Sequence, residues 1–211
     1  MFGNDVLKDY KLVYARFKLI QLYTKEGIIE KFPYIKPSNN NQFSISNPVS
    51  FCETRALNYL IQSLSKHTRR VPEVKSDEDC CNENNISFCS LGAMSNLKSM
   101  DTINSERNIF FGFDSKFQSI INKTSKKKYT IDRNYDYALI LKIKSDINSK
   151  KTYMCISGIG EWGTSGGAYY ISKYWKKFFW KTLFFSEFGA VIRVKHNSDD
   201  SAKLMEIIKN K

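Results

Sequence analysis

Apolar residues recur at spacings of three and four at the start of the chain, where Val6, Tyr10, Val13, Phe17 and Ile20 follow Asn4 and Asp5, either of which suits a helix N-cap. Lys8, Lys11, Arg16 and Lys18 lie largely between them, and the pattern predicts an amphipathic helix. Gly27 breaks it, and the prolines and asparagines from Pro33 to Asn41 are turn and loop material, so residues 1–41 read as an N-terminal helical appendage. After a short candidate strand from Gln42 to Ser46, Asn47-Pro48 opens a second helix with Ala56, Leu57, Leu60, Ile61 and Leu64 on its apolar face.

Beyond a polar loop over 69–85 the pattern changes to short apolar runs. Strands are predicted over 85–92, 108–114, 137–143, 153–157 and 189–195. The strand at 153–157 is placed antiparallel to its predecessor because the connection is short. Helices are predicted over 95–106, from Thr164 or Ser165 through Trp175, and from Ser198 onward, where Asp199 and Asp200 would sit at a positive helix end. One or two helical turns are read at 115–121, then a basic loop at 122–128. This alternation predicts an α/β domain over 42–211, a mostly parallel Rossmann-like sheet with helices on both faces.

Lys and Arg outnumber Asp and Glu by 33 to 21, for a formal charge of +12. That excess favours an acidic partner, whether a nucleotide or other anionic small molecule, a nucleic acid, or a protein face held through residues 1–41. The run Lys173 to Lys181 mixes lysine with Tyr, Trp and Phe, as nucleic-acid surfaces do. On a helix, however, Tyr170, Ile171, Tyr174, Trp175 and Phe178 make a buried stripe with the lysines outside. The five cysteines match neither a zinc site nor a disulfide framework, and no apolar run spans a bilayer. A cytoplasmic protein without a membrane partner or metal is expected. His67 and His196 are flanked by charge and read as surface residues, and no Ser-His-Asp or Cys-His pattern emerges.

The chemistry concentrates in two turns. Gly158, Gly160 and Gly163 separate a strand from a helix, and Thr164 and Ser165 supply caps; such a turn aims free N–H groups at an anion. Gly92, Ser95 and Asn96 make a smaller turn after another strand, with Asn96 placed near a sugar or base. Ligands of open α/β sheets bind outside the carboxyl ends of strands, where both turns belong. Ordinary strand-to-helix turns without a ligand remain the other reading of each. Glu161 suits a general base, a nucleophile at a glycosidic carbon, a ribose hydroxyl, a cation, or a plain helix cap. Trp162 suits stacking on a ligand base or packing on the sheet. Asp114 ends a strand toward the same crevice, whereas Asp136 begins one and would lie at the opposite edge of a parallel sheet.

The chain from about Asn47 to the end resembles a group of uncharacterised bacterial Rossmann-like domains in three segments, 90–96, 136–140 and 158–168. Gly160, Gly163 and Thr164 are also similar to the glycine-glycine-x-glycine-threonine signature of the nucleotide-binding superfamily that includes the cytokinin-activating phosphoribohydrolases. That superfamily has a glutamate shortly after the threonine, where this chain has Ser165, Gly166, Gly167 and Ala168. The resemblance implies a nucleotide or NAD-like ligand. Three functions follow as expectations: a nucleotide-binding sensor or regulatory module in bacterial signalling or defence, an NADase-like N-glycosidic hydrolase using Glu161, and a nucleic-acid or protein interaction module using the basic surface.

Overall fold

The computed structural model describes residues 10–14, 50–80, 82–83, 85–94, 96–182 and 187–210, with the backbone alone at 10, 11, 14 and 176–182. In chain order the elements are β1 (Tyr10–Tyr14), α1 (Phe51–Thr68), β2 (Val74–Ser76), β3 (Ser87–Leu91), α2 (Leu97–Asn104), β4 (Phe111–Phe113), β5 (Ser119–Asn122), β6 (Lys128–Thr130), β7 (Tyr135–Lys144), β8 (Thr152–Gly158), α3 (Glu161–Thr182), β9 (Phe188–Lys195) and β10 (Ser198–Lys209). Seven strands form one sheet in the order β10-β9-β7-β8-β3-β1-β2, and β4, β5 and β6 form a second.

The large sheet is mixed, which corrects the mostly parallel Rossmann-like expectation. The ladders β10–β9, β9–β7 and β7–β8 are antiparallel, and β8–β3, β3–β1 and β1–β2 are parallel. Connections too short to hold a crossover helix force the antiparallel half: β7 to β8 across 145–151 and β9 to β10 across His196 and Asn197.

Both faces of the sheet are covered. Leu12, Cys89, Ala138, Ile140, Ile156, Ala190 and Ile192 pack against Ala56 and Leu60 of α1 and Ala168 and Ile171 of α3. The alternate residues Leu139, Leu141, Ile143, Cys155 and Val191 point the other way, onto Ile103 of α2 and onto Phe110, Phe111, Ile120 and Tyr129 of the small sheet. The second face is therefore closed by one helix and a three-stranded sheet together.

Three local readings are corrected. Residues 10–14 are a strand between β2 and β3, where a helix was expected. Leu12 and Val13 are adjacent and both fully buried, each on a different face, because an interior strand loses the polar alternation that would distinguish it. Those residues belong to the main sheet, so 1–41 is not wholly an appendage; the rest of it, and the candidate strand Gln42–Ser46, lie outside the described residues. The segment after Ser198 is β10, where a helix was expected, because Asn197 adopts a left-handed conformation (φ 62°) that turns the chain back and commits its amides to β9. Residues 115–128, expected as helical turns and a loop, carry β5 and the turn into β6, which puts Lys126 at φ 60°.

α3 lies close to the sheet because it begins with small residues. A Cβ at Gly166 would sit 2.5 Å from Val194 Cγ2, near the end of β9. Replacing a helix-interior glycine by alanine ordinarily stabilises by about 1 kcal/mol. Overpacking against a stiff β-branched side chain costs roughly 1–3 kcal/mol and outweighs that gain. Gly166→Ala should therefore lower the midpoint of urea unfolding; a raised midpoint would show that α3 does not approach the sheet this closely.

Candidate functional site

The parallel strands β8, β3, β1 and β2 end at one edge of the sheet, where the starts of α2 and α3 meet. α3 begins at Glu161, earlier than expected, so Gly163, Thr164 and Ser165 lie inside its first turns. Because β7 runs antiparallel to β8, the beginning of β7 reaches this same edge. Asp136 is thus carried to the glycine-rich turn, which corrects its expected place at the opposite edge.

Asp136 fills the position that an external anion was expected to take. Its carboxylate accepts from Gly160 N (3.0 Å), Gly163 N (2.6 Å) and Tyr137 N (2.7 Å), and the residue is 0 % exposed. Burial pushes its carboxyl pKa up while these three N–H groups pull it down. Both oxygens serve only as acceptors, the arrangement of an ionised group at a positive helix end. Two further amides of the turn are also engaged: Ile159 N donates to Tyr137 O (2.9 Å) and Gly158 N to Thr164 Oγ1 (3.0 Å). Gly163 has room for no side chain, since a Cβ there would lie 2.4 Å from Tyr137 O. As a cradle for a ligand phosphate, the amides of Gly158, Gly160 and Gly163 are closed by the protein itself.

The second turn is likewise internal. Asn96 is fully buried, caps α2 by accepting from Ser99 N (3.1 Å), and donates to Leu91 O (2.9 Å) and Val13 O (3.2 Å). It ties β1 to β3 and has no group left for a sugar or base. Gly92 N donates to Ile156 O, and Gly92 O accepts from Ser157 Oγ (2.7 Å). Asp77 accepts from Leu97 N (3.0 Å) at the first turn of α2. Ser95 lies outside the described residues. Asp114 belongs to the small sheet, away from the strand ends of the large one, and its carboxylate accepts from Gln118 N (2.7 Å) and Ser119 N (3.1 Å) in the β4–β5 turn.

Side chains of α1 reach this edge of the sheet. Arg55 Nη2 donates to Ser165 Oγ (3.0 Å) and to Asp199 (3.1 Å); Ser165 Oγ donates to Asp199 Oδ1 (2.6 Å), and Tyr59 OH donates to Asp199 Oδ2 (3.1 Å). Ser165 is therefore a structural link among α1, α3 and β10. The Arg55 guanidinium lies 4.1 Å from the Trp162 ring centroid and 5.4 Å from that of Phe51, which is 73 % exposed.

Two carboxyls of unlike character stand beside this stack. Glu161 is exposed and within hydrogen-bonding reach of the Cys52 thiol. Burial, opposed by Arg55 and aided by Glu161, pushes that thiol up to about 11, so it stays protonated. Glu53 is 5 % exposed, and its Oε2 has no hydrogen-bond partner. Burial first, then the charges of Asp77 and Glu161, push its carboxyl from the ordinary 4.5 up to about 8.

Among the sequence candidates, Glu161 is exposed at this edge and Trp162 is stacked by Arg55. Glu53, Arg55, Cys52 and Asp199 were missed. Glu53 carried a signal, since it falls on the same helical stripe as Ala56, Leu57 and Leu60, where a carboxylate is out of place. Among the described residues no group of His, Cys, Asp and Glu is arranged to hold a metal ion, and no helix is long and apolar enough to cross a membrane. Comparison with protein-family models, curated proteins and solved structures finds no match.

Two outcomes follow. Asp136→Ala should lower the melting temperature, and millimolar phosphate should restore the variant more than it raises the wild type, because it refills a vacated anion seat; equal shifts would show that the amides do not form one. Glu53, with its pKa raised in the fold, stabilises fully below pH 4.5 and loses that contribution as the pH rises toward 8. Glu53→Gln should therefore flatten the fall in melting temperature between pH 5 and 8, and an unchanged slope would mean that Glu53 titrates normally.

Proposed function

We propose that this crevice binds a nucleoside-type ligand and cleaves its N-glycosidic bond. The observation that carries the reading is Glu53, a buried carboxyl with an unpartnered Oε2 and a pKa pushed up to about 8, within electrostatic reach of the exposed side chain of Glu161. In such a reaction the ribosyl C1′–N bond breaks with its electron pair leaving on nitrogen. Glu161 stabilises the positive charge that grows at C1′, Glu53 supplies a proton to a neutral leaving base, and water adds at C1′ while returning a proton to the pair. The acid-lined crevice favours the sugar and a neutral or cationic base over phosphate contacts, and the filled amide cradle points the same way. Trp162 and Phe51, already stacked on Arg55, suit a planar base.

A second reading keeps the ligand and omits the chemistry: a nucleotide-responsive regulatory module, as in bacterial signalling or defence. The aromatic stack supports it equally well, and Glu161 separates the two. Incubation of pure protein with NAD and a panel of nucleosides and nucleotides, with released base read by chromatography, should show turnover that falls at least a hundredfold in Glu161→Gln while the ligand-induced thermal shift persists. A shift in both proteins without base release from either would leave the regulatory reading in place. Absence of both shift and release across the panel would remove both.

A further inference from the structure

A separate surface lies on the opposite face of the sheet, where the small sheet stops short. Gly189, Val191, Leu139 and Leu141 are covered by Phe110, Phe111, Ile120 and Tyr129. One and two register steps further along, Tyr135 pairs with Lys195, Tyr137 with Arg193, and Arg193 with Lys203. Since the side-chain period of a strand is two, these residues share that face. Arg193 lies over the Tyr135 ring at 4.4 Å from its centroid, and Lys127 of the β5–β6 turn over Tyr129 at 4.9 Å; Tyr129 and Tyr137 are in contact at 5.8 Å and join the two sites.

The cations on this strip lie outside any close ion pair, although Arg193 acts on Asp132 at longer range. Among the described residues, Lys127, Arg193, Lys195 and Lys203 make no ion pair with a carboxylate. Two carboxylates of neighbouring segments hold other hydrogen-bond donors. Asp132 accepts from Asn134 N (2.7 Å) and Tyr135 N (2.8 Å), and Glu206 accepts from Asn122 Nδ2 (2.8 Å) and from the Tyr129 hydroxyl. A protein of net charge +12 that holds four cations outside close ion pairs, two of them over tyrosine rings, presents phosphate contacts beside the half-buried Tyr135 ring.

We infer that this strip, centred on Tyr135, Arg193, Lys203 and Lys127, is a binding surface for single-stranded nucleic acid. A duplex offers phosphates but keeps its bases stacked on one another; an unpaired base exposes the face that the half-buried Tyr135 matches. The strip is independent of the crevice, and Glu161→Gln binds like the wild type.

Fluorescence anisotropy with labelled 20-nucleotide single-stranded RNA and DNA, and with duplexes of the same length, tests this. The wild type binds the single strands more tightly than the duplexes, and its affinity falls with salt. The double variant Lys127→Ala/Lys203→Ala reduces the log–log salt slope by about 1.4, at ~0.7 per single-strand phosphate. Tyr135→Ala weakens binding roughly tenfold with the slope unchanged, as loss of a stacking contact does. Lys66→Ala/Lys173→Ala, lysines on the helical face, serves as the control, and circular dichroism melts verify that each variant is folded. No binding at 50 mM salt, equal affinity for duplex and single strand, or equal losses in the control and strip variants would each overturn the assignment, as would binding confined to anionic vesicles.

Discussion

The carboxylate of Asp136 determines what the amino end of α3 can do. It accepts hydrogen bonds from the first turn of that helix while standing on a neighbouring strand, and thereby fixes the strand-turn-helix geometry from outside it. Glycines that would leave amides open for a phosphate instead let the backbone wrap this internal anion closely. Charge-assisted bonds of this kind contribute about 1.5–3 kcal/mol each, comparable with the burial of a whole aliphatic side chain. The turn, the helix start and β7 are consequently one mechanical unit.

The same device recurs at α2, where Asp77 receives the N–H of Leu97. With both helix starts already served by the chain's own aspartates, the edge where parallel strands end has become acidic rather than phosphate-seeking. Glu53 and Glu161 sharpen that character, and Arg55 does not reverse it because Asp199 compensates its charge. The positive excess lies elsewhere, including the far face of β7, β9 and β10. A basic protein can thus hold an acidic crevice, and overall charge is a poor guide to the chemistry of any one concavity.

Much of the scaffold was legible. Runs such as 137–143, 153–157 and 189–195 are apolar for long enough to admit only buried strands, and the glycine-rich turn before α3 is where the sequence placed it. What was not legible has physical reasons. β1 is buried on both faces, so Leu12 and Val13 fit a helical stripe as well as a strand. The hairpins turn at Phe117, Lys126 and Asn197 without glycine, so the usual turn signals are missing. The site suffered most from one inconsistency of direction: 153–157 was placed antiparallel to 137–143, yet Asp136 was located as in a parallel sheet, at the opposite edge, and the glycine-rich turn looked vacant. Arg55 and Glu53 were hidden because long-range pairing leaves no local pattern, except that Glu53 interrupts an apolar stripe.

The insertion of β1 between β2 and β3 has a consequence for biogenesis. β1 has no partner strand in the sheet until residues 74–76 and 87–90 have been made. Until then its apolar side chains must be tolerated by water or shielded by a chaperone. Once β3 is available, β1 closes the centre of the parallel block, and Asn96 latches it through Val13 O. Assembly of this half of the molecule is accordingly governed by a late, long-range closure, which makes it the slow and vulnerable stage of maturation.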